Sequence, residues 1–497
     1  MRPQAFLVHS STSGQQFRSS SPRASFACDP LFQFLTTDPL WKFDVQDAEN
    51  LINEWCDGDG MLYPALDRQE LLSAAQTVLL TFQYEGTNFV ESSKATLMES
   101  LSNRKTIQTR LVLAIALTLR GGDSAKKGQA LAETVRAFVN TLVLGRNNVE
   151  DIQTLFLAAL YQHHTDNASL ASRIASVAAR SCLELGLHRS RSPTRNSCLF
   201  DEECADLRVF WSIYMLERKT SLCQGMPFII QDIYIDPSLF AHPARHPCSP
   251  NSPRHPMALS ESELMLSALL EGAKLSGMTW HSIQSFDQTG SASSLDKLDH
   301  LDYQIVQWYE RLPLCLRFSM PWLRLDDLLE TPTFIQAVLF FQRDLLRNSI
   351  YRPILQSPQL FAQNRSRVQL ATKLARDTLQ TLADVNDKTP LIRNFPIFFK
   401  EPLLSALTNL LSTVVNGGAA SWSTARHEIG IGLTLLQLIS TKSSSLMEIW
   451  DTIKWLEGLQ TNVFDPMIDG FLARNQSPSE DSSLDFLFED DYMLQPL

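Results

Sequence analysis

Three groups of side chains in this 497-residue sequence carry types and spacings that could do chemistry. In Asp326-Asp327-Leu328-Leu329-Glu330, carboxylates at i, i+1 and i+4 match a pattern by which all-α enzymes hold magnesium and diphosphate. Such carboxylates bind hard cations through oxygen. The companion motif that such a site needs, Asn/Asp-x-x-x-Ser/Thr-x-x-x-Glu, has no match downstream, and Pro321 and Pro332 favour a short capped turn instead. His242, His246, Cys248 and His255 could each ligate zinc, but their spacing fits no standard site and they sit among prolines. The third group is the C-terminal stretch 475–497. It holds six acids (Glu480, Asp481, Asp485, Glu489, Asp490, Asp491) and no Lys or Arg, interleaved with Phe486, Leu487, Phe488 and Tyr492. Acids keep such a segment solvated, which leaves its aromatic side chains free to fill a partner's groove.

The bulk composition says what could position these groups. Hydrophobic residues make up 44% and charged residues 20% of the chain, enough to bury a large core. A net charge of −11 opposes any chain-wide grip on DNA or on an anionic membrane. Eight cysteines include no C-x-x-C pair, so a zinc ribbon and a thioredoxin-type motif are absent. Residues 1–27 are rich in Ser, Gln and Arg, with no apolar core of a secretory signal, and read as a disordered leader reaching to about residue 30. Its Arg2, Arg18 and Arg23 could neutralise only a few phosphates. The longest apolar runs, such as Leu111–Leu119, look too short to cross a bilayer. The expectation is a soluble, intracellular chain with free thiols, for which Asn167-Ala-Ser and Asn364-Arg-Ser are chance glycosylation patterns.

No stretch alternates with period two, and apolar residues recur at helical spacing over 45–81, 105–120 and most of 149–225, so the fold class is all-α. Val149–His164 places Ile152, Leu155, Phe156, Ala159 and Leu160 on one face. A second helix over about Ser169–Leu185 ends in Leu-Gly-Leu, where Gly186 can take the left-handed conformation while Leu187 packs back. A third is led in by Asp201, Glu202 and Glu203 and continues through Leu207, Val209, Phe210, Trp211, Ile213, Tyr214, Met215 and Leu216. It is apolar nearly all round, which predicts deep burial, and Gly225 and Pro227 stop it. Six prolines in 237–256 forbid a regular element there, so 237–260 reads as a loop between helical halves 31–236 and 261–474. Helical periodicity resumes at Glu261 and continues over 301–311, 333–350, 365–384, 401–415, 424–440 and 444–460.

Leu185-Gly-Leu-His-Arg189, Asp206-Leu-Arg-Val-Phe-Trp-Ser-Ile-Tyr-Met-Leu-Glu217 and Gly225-Met-Pro-Phe-Ile-Ile230 together resemble the middle homology region of fungal-specific transcription factors. Asn50-Leu-Ile and Tyr63-Pro resemble its start, and Trp308-Tyr-Glu-Arg-Leu-Pro313 and Ile350-Tyr-Arg-Pro-Ile354 its later helices, so the resemblance covers roughly 45–360. The Arg-rich step is reduced here to Leu207-Arg208, and Met226 stands where the family's turn usually has Arg. The matched positions read as structural: Phe210 and Trp211 as core, Gly186 as cap, Gly225 and Pro227 as helix stop. His188, at a helix end, reads as a cap or dipole contact.

The resemblance implies a nuclear transcriptional regulator, an activator of a pathway or of a secondary-metabolism gene cluster, and no enzyme or cofactor. Most such proteins carry a binuclear zinc cluster with six cysteines in about thirty residues, whereas residues 1–60 hold only Cys28 and Cys56. DNA contact is therefore expected to be weak or indirect, through other transcription factors or coactivators, with the tail as activation segment. Homo- or heterodimerisation and a small-molecule effector are open under this reading. Two other readings stand beside it: a shortened version of a zinc-cluster factor, and an all-α metal-dependent enzyme using Asp326, Asp327 and Glu330.

Overall fold

The computed structural model describes residues 37–87, 99–189, 205–241, 261–286, 291–318, 332–441 and 444–454. Among the described residues there is no strand, in keeping with the all-α expectation. The helices run in chain order as α1 (Val45–Asp57), α2 (Asp59–Leu62), α3 (Arg68–Thr87), α4 (Arg104–Arg120), α5 (Gly122–Leu144), α6 (Val149–His164), α7 (Ala168–Glu184) and α8 (Ala205–Cys223). They continue as α9 (Pro237–Ala241), α10 (Glu261–Gln284), α11 (Ala292–Glu310), α12 (Phe334–Gln356), α13 (Pro358–Gln363), α14 (Arg365–Lys388), α15 (Leu391–Asn394), α16 (Pro396–Ser440) and α17 (Ser444–Ile453).

Local chemistry sets several of these ends. At the start of α6 the Asn148 side chain accepts from Asp151 N (2.8 Å) while the Asp151 carboxylate accepts from Asn148 N (3.1 Å), a reciprocal cap. Thr333 and Gln336 form the same box at the start of α12. The chain leaves α7 through Gly186 at φ 71°, with Leu187 N donating to Cys182 O and Gly186 N to Leu183 O, both at 3.0 Å. These are the two bonds of a left-handed helix ending, and Leu187 is buried behind them.

Two of the sequence expectations need correction. The proline-rich stretch opens with a helical turn, α9, because Pro237 occupies the first helical position, where a missing N–H costs nothing. The helices expected over 401–415 and 424–440 are the two arms of α16, which meet at a kink where Gly418 has non-helical backbone angles (φ 65°, ψ −155°). That helix is long and apolar enough by composition to cross a membrane, contrary to the reading of the longest apolar runs. Here 61% of its most apolar stretch is buried, against α12 and α14 on either side, which is how a core helix is placed. Helix α5 and the short helices α13 and α15 were not anticipated.

Packing follows the chain closely. Helix α4 lies among α1, α3, α5 and α6; α6, α7 and α8 pack in succession; α8 meets α10, and α10 meets α12. The start of α16 folds back onto the first half of the molecule: Phe398 lies against His164, and Lys400 pairs with Asp166 at the end of α6. The two halves therefore share one core rather than meeting at a wet surface.

Candidate functional site

Helix α8 organises the most polar region of the interior. Val209 to Arg218 are buried without a break, so its charged residues cannot reach bulk water. The Arg218 guanidinium is clamped between the rings of Tyr214 (4.2 Å) and Phe228 (4.5 Å). Its Nη2 donates to Ile230 O (3.1 Å) and Asp232 Oδ1 (2.6 Å), and Tyr214 Oη donates to the same carboxylate (2.8 Å). Gly277 of α10 makes room for it: a Cβ there would stand 1.9 Å from Arg218 Nη1. Glu217, one residue earlier, accepts from Ile229 N at 2.7 Å. The two adjacent side chains thus hold the loop 225–232 that follows α8, while Gly225 (φ 62°) ends the helix with Met226 N donating to Ser221 O (2.9 Å).

Next along the helix, Lys219 and, one turn later, Cys223 join Arg218 in lining a cavity of about 100 Å³. Its walls come from α8, α10, α12, the start of α16 and Leu62-Tyr63, and are mostly apolar: Met215, Leu222, Leu269, Leu346 and Phe398 among others. The polar contributors are Lys219, Arg218, Gln342, Ser276, Cys223 and Glu401. Lys219, Cys223 and Glu401 are half-buried, and all three line this cavity. The Lys219 ammonium sits 4.2 Å above the Phe398 ring, and among the described residues no carboxylate or carbonyl lies within ion-pairing or hydrogen-bonding distance of it. Desolvation pushes its pKa below the usual lysine value; burial raises Glu401 and drives the Cys223 thiol upward. Arg352, whose Nη2 donates to Ser405 (2.9 Å), lies close enough to act electrostatically on both Glu401 and Cys223.

Around this cavity stand two further buried pairs. Lys400 Nζ is 2.5 Å from Asp166 Oδ1, and His164 Nε2 is 2.7 Å from Asp59 Oδ2, the latter out of line for a hydrogen bond. The neighbouring His163 is held well below its ordinary pKa by burial first, then by Lys219, His164 and Lys400.

The buried Glu217 gives a measurable pH signature. Loss of water pushes its pKa up to about 7, more than its hydrogen bonds and Arg218 pull it down. A raised acid is favoured in its protonated form by the fold, so stability is gained as pH falls from 7 towards the unfolded value near 4.5 and is lost as pH rises through 7. His163 has the opposite sign: its folded pKa is depressed, so stability drains away as pH falls below 6.5. Glu217→Gln keeps an acceptor for Ile229 N and removes the charge. It should gain about 1–3 kcal/mol at pH 8, a gain that vanishes below pH 5. Denaturant titrations of both proteins across pH 5–8 check it; a constant offset over that range would mean that Glu217 is not held neutral.

The residues singled out from sequence fall into three places. Phe210 and Trp211 are fully buried, their rings 4.9 Å apart, and Trp211 also packs on Tyr214 and on Phe240 of α9. Gly186 and Gly225 occupy left-handed helix ends. Pro227 is exposed beyond an ending that Gly225 has already made, so it is neither core nor the stop. His188 is buried and accepts a bond from Arg189 Nε (3.1 Å), while its carbonyl accepts from Asp236 N (3.0 Å). Phe486, Leu487, Phe488 and Tyr492 lie outside the described residues, as do the acids of Asp326-Asp327-Leu-Leu-Glu330, the leader arginines, Asp201, Glu202 and Glu203, and the His242, His246, Cys248, His255 loop. Among the described residues no group of three or more His, Cys, Asp or Glu side chains is arranged to hold a metal. Sequence reading missed the cavity. Lys219 and Cys223 sit at i and i+4 on one helix face, but nothing in the sequence brings Glu401 to them from 178 positions away.

Comparison with known proteins places this architecture. Two proteins of Schizosaccharomyces pombe named as transcriptional regulatory proteins, one provisionally and one as uncharacterized, align at 28% identity over 220 residues and 26% over 232 residues. A probable transcription factor of Fusarium proliferatum aligns at 34% over 115 residues. The first two alignments each cover 42% of this chain but only 25% and 29% of the relatives, and the third covers 22% and 16%. The chain thus spans about a quarter of the length of the first two relatives it matches. No solved structure matches the chain. Residues 63–310, which supply α8, α10 and most of the cavity wall, match the fungal specific transcription factor domain. The chain belongs to the fungal-specific transcription factor domain family.

Proposed function

We propose that this protein is a nuclear transcriptional activator that works through partner proteins, with the helical body as regulatory domain and residues 475–497 as the activation segment. The observation that carries the reading is the match of 63–310 to a transcription factor domain, in a body whose motif residues serve packing and helix endings. Output must then leave through surfaces and through segments outside the body. The tail supports this by composition: six acids without a base, spaced among Phe486, Leu487, Phe488 and Tyr492. DNA would be reached through a DNA-bound partner, since the chain carries a net charge of −11. The genes controlled would be those of one pathway or biosynthetic cluster.

A tethering experiment tests it. The chain is fused to a heterologous DNA-binding domain and reporter output is read with and without residues 475–497. Deletion should abolish activation while leaving the melting temperature of the body unchanged. Changing Phe486, Leu487 and Phe488 together to Ala should hurt more than neutralising any two acids, because solvation is spread over all the acids whereas groove filling needs those rings. Equal activation without the tail would remove it from the mechanism.

A further inference from the structure

We propose that the cavity between α8, α10, α12 and the start of α16 is a binding site for a small monocarboxylate with an apolar body, its carboxylate received by Lys219. The volume of about 100 Å³ is several times what one water needs and approaches cavities that take up a small organic molecule. Its walls are mainly Leu, Met and Phe side chains, so water filling it would be poorly bonded over most of its surface.

The polar groups choose the ligand's charge. Lys219 is the one lysine on the lining, and its described contact is the face of Phe398, which satisfies a cation weakly compared with a carboxylate. Arg218, 1% exposed and also on the lining, keeps Nε and Nη1 without hydrogen-bond partners among the described residues. A neutral hydrocarbon would fill the apolar space and leave both unanswered. A phosphate or a dicarboxylate would bring a second negative charge towards Glu401, which lines the same space. One carboxylate on a compact aliphatic group meets the ammonium, fills the apolar walls and leaves Glu401 alone.

The site joins parts of the chain that are far apart in sequence. Lys219 and Leu269 belong to the matched family region, whereas Gln342 and Glu401 come from helices beyond it. A ligand that binds only the folded protein stabilises the packing of the two by mass action. Its consequence for transcription rests on the regulator reading above; its binding does not.

Equilibrium dialysis of the purified full chain against radiolabelled 3-methylbutanoate tests the assignment. One saturable site per chain is expected, with a Kd on the order of 0.1–1 mM for so small a ligand. The uncharged 3-methylbutanamide and the cationic 3-methylbutylamine should fail to displace it at equal concentration. Lys219→Met should weaken binding at least about tenfold, the loss of one charge-assisted contact, while Lys126→Met on α5 should leave it unchanged. If Lys219→Met does not show a native melting transition, Ala273→Val, which projects methyl groups into the cavity from α10, takes its place with the same expected loss. Absence of saturable binding up to about 10 mM, binding indifferent to the folded variant, or displacement by the amine would each overturn the proposal. These readings come from dialysis alone, so their failure is distinguishable from a failure of the tail to activate a reporter.

Discussion

Replacing Trp211 by Ala should cost about 3–5 kcal/mol of stability, the range for deleting a large aromatic from a closed core. The indole is fully buried and contacts three other rings, with centroids at 4.9 Å (Phe210), 5.4 Å (Tyr214) and 5.1 Å (Phe240). Tyr214 in turn braces Arg218, so the cavity left behind would loosen the clamp on the 225–232 loop as well. A finer comparison separates volume from polarity. The Trp211 Nε1–H is buried and lacks an acceptor among the described residues. Trp211→Phe removes that orphan donor along with part of the ring, so it should cost far less than the Ala variant, about 1–2 kcal/mol. Chemical denaturation of the three proteins checks both figures. A Trp211→Ala protein that melts like the parent would contradict the burial of this helix.

The second large effect concerns the buried pair that ties α6 to α16. Lys400 and Asp166 have side chains 6% and 5% exposed, and together they bridge 234 positions of sequence. Removing one partner strips the other buried charge of its ion pair, which costs about 3–5 kcal/mol. Asp166 also sits at φ 63°, where Asn is tolerated and Ala adds about 1 kcal/mol of backbone strain. Asp166→Asn therefore isolates the charge effect. The double variant Asp166→Asn/Lys400→Met should recover most of the stability lost by either single change, because no unpaired charge remains. If the losses simply add, the two side chains do not interact in solution.

How much of this was legible beforehand differs from element to element. The limits of α6 could be read directly: Asn148 and Asp151 write the start, the apolar face runs unbroken, and the structure begins and ends the helix at Val149 and His164. The left-handed turn at Gly186 was equally plain, since a glycine between two leucines at a helix end has few other uses. Helix α5 escaped although its buried face, Leu131, Val135, Val139 and Leu142, keeps helical spacing. The glycines at 121 and 122 and a polar outer surface disguised it, and its packing, chiefly on α4, makes that narrow stripe a core. The break between 401–415 and 424–440 was legible too, since Gly418 at φ 65° takes the backbone out of the helix there.

What the sequence by itself determined was the helical class, the buried character of the Trp211 helix and the family, because periodicity, caps and local motifs are written within a few turns of chain. What only the tertiary structure decided was where charge ends up. Lys219, Arg218, Glu401 and Lys400 look in sequence like ordinary solvated residues of polar helix faces. Packing of α8 against α10 and of α16 against the first half of the chain takes Arg218 and Lys400 out of water and leaves Lys219 and Glu401 half-buried on one cavity, and their interactions depend on burial and distance, quantities that no spacing along the chain contains.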